Sequence, residues 1–154
     1  MFLFYAKWVL VMLHITTAAA WFGLGLRITG QARSVVKAGP EAGNALADAT
    51  GRSIFLMTLF AVLTFVFGLS ALFAGGGFDV YGWPYHTSIT VVLLLIGVQF
   101  FLIRGSWNKL EAARGTDNAA AEKAAKRLAM GTGMGHLLWL TTLVLMYMRH
   151  MGFS

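Results

Sequence analysis

Trp8 to Leu26 reads WVLVMLHITTAAAWFGLGL, nineteen mostly apolar residues broken by one ionisable side chain, His14. At ~1.5 Å rise per residue such a run crosses the hydrocarbon core of a bilayer. An ionisable group inside it is costly unless it faces the protein interior and finds a partner. Three further runs have the same character. Ile54 to Ala74 is uncharged, Thr87 to Ile103 has Gln99 as its one strongly polar residue, and Leu128 to Met148 holds His136 as its single ionisable group. Lipid admits only helices or closed barrels, and these runs lack the alternation of barrel strands. The expected fold is therefore all-α: a single-domain integral membrane four-helix bundle with spans at about 5–27, 53–74, 85–106 and 128–149. The charged fraction, 12%, agrees, being half the ~25% usual in soluble domains. The first run is too long for a signal-peptide core and carries a histidine, so its retention as a membrane helix is expected.

Ten of the twelve Lys and Arg residues fall between the first and second runs or between the third and fourth, and the segment 75–86 has none. The positive-inside rule then puts those two basic segments in the cytoplasm and both termini outside, in the periplasm for a bacterial inner membrane. The net charge of +6 reads as a topology signal, with anionic lipid headgroups a compatible contact, and not as a nucleic-acid surface. Asn118 to Leu128 is rich in helix formers, with Thr116 or Asp117 placed as a cap, so the last helix is expected to begin outside the membrane. The third helix is expected to continue towards Ala113. Pro40 and Gly39 break the first basic segment, and the stretches flanking them can form short helices. Pro84 suits a first helical turn, and Tyr81, Trp83 and Tyr85 suit an interfacial aromatic belt.

The chemistry rests on histidines. The chain has no cysteine, which removes disulfides, thiolate catalysis and iron–sulfur clusters, and no carboxylate lies inside a span. His14, His86 and His136 sit in or at the edge of different helices, an arrangement that can grip a group between them. Imidazole donors without thiolates suit haem iron or copper. The plainer alternative is a hydrogen bond across helices to Thr17, Ser88 or Thr132. Lys7, His14 and Trp21 recur every seven residues on one face of the first helix, beside Thr17, Ala18 and Gly25, a small-walled groove next to an imidazole. Gly131, Gly133 and Gly135 precede His136, and Gly131 with Gly135 forms a GxxxG that serves either helix packing or a cofactor slot. Depth counted from the run boundaries leaves an offset of about 9 Å between His14 and His136. The favoured ligand pair is His14 with His136, with His86 the rival or the site of a second haem. Trp21 and Gly135 are the candidate walls. Met146, Met148 and Met151 near His150 give a competing copper site, while His150 beside Arg149 reads as a solvated terminus.

The pattern H14-x6-W21-F22-x-G, then R52, M57-T58 and F67-G68-L69, then G82-W83-x-x-H86 opening V91-V92-L93-L94-L95, resembles the HemJ-type protoporphyrinogen oxidases and the related CopD copper-resistance domain. The likeness covers roughly residues 5 to 113. It implies a b-type haem, with His14 matching the family's helix-1 histidine and His86 its helix-3 histidine. Where that family has a lysine one turn before the first histidine this chain has Val11. Where it has one two residues after the second, this chain has Ser88, and the Asn-Glu-x-Pro opening of the last helix is replaced by GTGMGH. The resemblance therefore implies haem binding without the oxidase reaction. The expectation is an integral membrane b-type haem protein with one haem or two, serving electron transfer. It would act as a subunit of a larger redox complex or exchange electrons with quinol, and self-association is open. A divergent protoporphyrinogen oxidase and a copper-handling protein are the alternatives. If an enzyme, it would be a haem-dependent membrane oxidoreductase.

Overall fold

Length and apolar character yield four long helical rods in the computed structural model, which describes residues 2–38 and 40–148. Helix α1 runs Phe2–Lys37 and α2 runs Pro40–Ala74. The third rod, Trp83–Ala113, is α3 (Trp83–Gly97), a π-helical segment (Val98–Arg104) and α4 (Gly105–Ala113) in succession. The fourth is α5, Asn118–Met148. All four are long and apolar enough to cross a membrane. Large apolar side chains lie exposed along the rods, among them Phe55, Leu94, Phe101 and Leu137, as a lipid-facing surface requires.

The rods outrun the bilayer. Thirty-six residues of α1 make about 54 Å of helix against a hydrocarbon core of about 30 Å. The first basic segment is thus not a loop. α1 continues to Lys37, and α2 begins at Pro40, whose missing N–H costs nothing in a first turn. At the same end α5 starts at Asn118, capped by the Asp117 carboxylate accepting from the Ala120 N–H at 2.9 Å. Asp117, and not Thr116, makes that cap. The core follows the helices past the lipid: Ile28, Ala32 and Val35 of α1 pack with Ala47 and Ile54 of α2, Trp107 and Leu110 of α4, and Leu128 of α5. At the opposite end Gly76 and Gly77, with φ of +109° and +76°, turn the chain out of α2, and Pro84 opens α3 after Gly82.

α1 packs chiefly against α2 and also against α5, and α5 packs against the third rod, whereas α2 and α3 touch lightly. The cross-section is a ring in the order α2, α1, α5, third rod, closed weakly between α2 and α3. One buried chain of hydrogen bonds bridges that gap at mid-height. The Trp21 indole N–H donates to Gln99 Oε1 (3.1 Å), and Gln99 Nε2 donates to Thr58 Oγ1 (3.0 Å), which donates to the Ile54 carbonyl. Gln99 is 0% exposed and lies in the π segment.

Candidate functional site

Between this bridge and the 75–82 turn, where α2 and α3 diverge, lies a cavity of about 560 Å³. Its walls come from α1 (Lys7, Val11, His14), α2 (Thr64, Gly68, Leu72), α3 (Tyr85, Ser88, Val92) and, from α5, Met146. Tyr81 and Tyr85 stand at its turn end with ring centroids 4.8 Å apart, and Lys7 Nζ sits 5.6 Å from the centre of the Tyr81 ring. Both tyrosines are half-buried, so of the three expected belt aromatics only Trp83 is exposed as a belt residue is.

His14 is half-buried on the α2 wall. Its Nδ1 lies 2.8 Å from the Thr64 carbonyl oxygen, which can only accept, so Nδ1 carries the proton and Nε2 keeps its lone pair. The Thr64 hydroxyl donates to Thr17 Oγ1 (3.0 Å), and Thr17 donates to the Leu13 carbonyl (2.8 Å), tying the histidine's turn of α1 to α2. Gly68 makes room for the ring: a Cβ there would stand 2.7 Å from Nδ1 and 2.8 Å from Cε1. A metal-ligating histidine is usually oriented in this way, by a backbone carbonyl that accepts from Nδ1 and leaves Nε2 open.

The other two histidines lie elsewhere. His136 faces Gly25, a point where a Cβ would come within 2.5 Å of its Nε2. It packs on Trp21 and Phe22, with ring centroids 5.8 and 4.7 Å away. Its Nε2 is buried without a hydrogen-bond partner among the described residues. Gly25 is eleven residues along α1 from His14, about 16 Å of helix. Two imidazoles on one iron stand about 4 Å apart, two metal–nitrogen bonds of ~2 Å. The expected His14–His136 pair is therefore not assembled: the helices pack in a register that puts the residues at different heights. His86 is exposed, its Nε2 donating to the Tyr81 carbonyl at 3.2 Å and its ring against Phe78. Its neighbours Tyr85 and Ser88 line the cavity, and His86 is not among the lining residues.

Trp21 and Gly135 meet each other, the indole 2.9 Å from where a Gly135 Cβ would lie, and Gly131 lets Leu102 approach in the same way. The GxxxG thus packs α5 against α1 and the third rod. Gly133 faces open space. His150, Arg149 and Met151, which belong to the copper and terminus expectations, lie outside the described residues. Among the described residues, no three histidine or carboxylate side chains gather to hold an ion.

Sequence reasoning missed Thr64 and the cavity role of Met146, and took Gly68 only as part of a motif. Thr64 had a legible signal in being a hydroxyl residue inside an apolar run. No family model, curated protein or solved structure matches the chain.

Proposed function

We propose that this chain is a membrane-embedded b-type haem protein that transfers electrons, with a single haem in the cavity and His14 as an axial ligand. The observation that carries the reading is the His14 imidazole, held through Nδ1 by the Thr64 carbonyl and lining a large cavity with Nε2 free to bind. The residues present fit a haem. The cavity volume lies within the ~300–1,000 Å³ of cofactor pockets, far more than a bare ion needs. Its walls are mainly apolar, and Lys7, Tyr81 and Tyr85 at the turn end are suited to the two acidic side chains of the porphyrin. Bound there, the iron would supply a one-electron couple. The protein's part is to orient the imidazole, keep the group dry and answer its carboxylates with Lys7.

Two observations weigh against the oxidase alternative. Val11 and Ser88, the positions where the resembling oxidases carry lysines, both line this cavity. A pocket for an acidic tetrapyrrole substrate has therefore lost two cations where they would act. Copper keeps some support from Met146 and His14 lining the same cavity, since thioether and imidazole suit Cu(I). The basic ends of the rods favour a cytoplasmic location for the α1–α2 and α4–α5 connections and a bacterial inner membrane as the setting. Exposed apolar faces leave room for neighbouring redox subunits as well as lipid.

The test is the absorption spectrum of the purified protein. The expected result is a Soret band that His14→Ala abolishes and His136→Ala or His86→Ala leaves in place. A colourless preparation containing copper would overturn the haem reading. A Soret band unaffected by His14→Ala would overturn the site.

A further inference from the structure

We infer that Met146 is the second axial ligand of the group that His14 holds, so that the cavity carries a mixed imidazole–thioether site. The inference rests on the haem reading above and adds to it the opposite face of the iron.

Helix register carries the argument. α1 and α5 are antiparallel, and the contacts of His136 with Gly25 and of Gly135 with Trp21 align them to within about one turn. From those contacts, His14 lies seven to eleven residues along α1 towards the 75–82 turn, about 10–16 Å. Met146 lies ten residues along α5 in the same direction, about 15 Å. The two residues are level to within about one helical turn. They also stand on opposite walls. α1 packs against both α2 and α5, while α2 and α5, on either side of it, hardly touch and lie diagonally across the bundle. The His14 ring is drawn to the α2 wall by Thr64 and Gly68. Met146 is what α5 contributes to the lining of the cavity.

The remaining donors at this level are poorer ligands. The Ser88 hydroxyl is engaged with the Pro84 carbonyl at 2.7 Å. Thr64 and Thr17 are engaged with each other. A thioether on a three-bond side chain reaches easily and is a known axial donor to haem iron, one that raises the potential. A methionine that only packed would leave the iron's second face open.

The experiment uses the full chain purified in detergent, comparing wild type with Met146→Leu, Met146→His and, as a control away from the cavity, His136→Ala. Wild type is expected to be six-coordinate and low-spin, its ferrous form slow to take up carbon monoxide. Met146→Leu should keep its haem but become high-spin, bind carbon monoxide on mixing and shift to a lower midpoint potential. Met146→His should restore the low-spin state with a bis-imidazole signature, and His136→Ala should match wild type. If Met146→Leu retains haem with unchanged spin state and carbon monoxide binding, or if wild type is itself high-spin, the thioether assignment is overturned while the haem reading stands. If no variant and no wild-type preparation carries haem, both are overturned together.

Discussion

Replacing Gly25 by alanine tests the helix register on which the separation of the histidines depends. The new Cβ would lie 2.5 Å from His136 Nε2, 3.3 Å from Cε1 and 3.4 Å from Met57 Cε. Ordinary contact starts near 3.4 Å, so the ring must yield by about 3.4 − 2.5 = 0.9 Å. It has little room, being wedged against Trp21 and Phe22, and Phe22 is itself stacked on Trp139 at 4.6 Å. Overpacking of this kind costs about 1–3 kcal/mol, against a helix-propensity gain of about 1 kcal/mol for Gly→Ala. Gly23, two residues earlier on the same helix, has nothing within 4 Å of its would-be Cβ. Gly23→Ala should therefore show the propensity gain alone. The difference between the two variants isolates the overpacking at about 1–3 kcal/mol.

The assay is reversible unfolding in mixed micelles with increasing SDS, followed by tryptophan fluorescence. A double-mutant cycle with His136→Ala should then return most of that difference as coupling energy. If Gly25→Ala and Gly23→Ala unfold together within 0.5 kcal/mol, the ring is not pinned there, and the offset between His14 and His136 loses one of its anchors.

Gly68→Ala should drive its methyl into the His14 ring, break the Nδ1 bond to Thr64 and lower haem occupancy while the helical circular dichroism stays unchanged; Gly133→Ala, which meets nothing, should bind haem as wild type does. Gln99→Leu should destabilise the bundle by about 1–3 kcal/mol by orphaning the buried Trp21 N–H, and adding Trp21→Phe should recover part of the loss in the same unfolding assay. The chain has no cysteine, so single cysteines report topology directly. Asp79→Cys should react in intact cells with a membrane-impermeant maleimide and Asp117→Cys only after permeabilisation, and the reverse pattern would invert the proposed orientation.

What was legible in the sequence follows from what lipid demands. The four spans, a cap at Thr116 or Asp117 and the continuation of the third rod to Ala113 can all be read because apolar length and helix formers act locally. The continuity of α1 and α2 beyond the membrane cannot, since alanine-rich helix such as Ala45–Ala49 looks like a polar linker once no lipid enforces an apolar run. Gln99 reads from sequence as one polar residue in a span. Only packing reveals that a π segment turns it onto Trp21 and Thr58. The histidine pairing fails for a similar reason. Counting from run boundaries gives an offset of about 9 Å, and the contacts of His136 with Gly25 and of Gly135 with Trp21 put it at about 9–16 Å, too far in height for one iron. Small-residue contacts decide register, and no single-helix pattern contains them.

The cavity itself argues for an occupant. A bundle that closes tightly below Gln99, with Gly25, Gly131 and Gly135 each giving way to a neighbour, has the means to close above it as well. An acyl chain from the bilayer would satisfy the apolar walls but leave the His14 Nε2 lone pair unanswered and the Lys7 ammonium with only the Tyr81 ring. Water would answer those two groups but wet the leucine and valine walls. A flat apolar ring with a central metal and acidic arms meets all three demands, which is the physical reason for preferring haem to lipid, to water or to a bare ion.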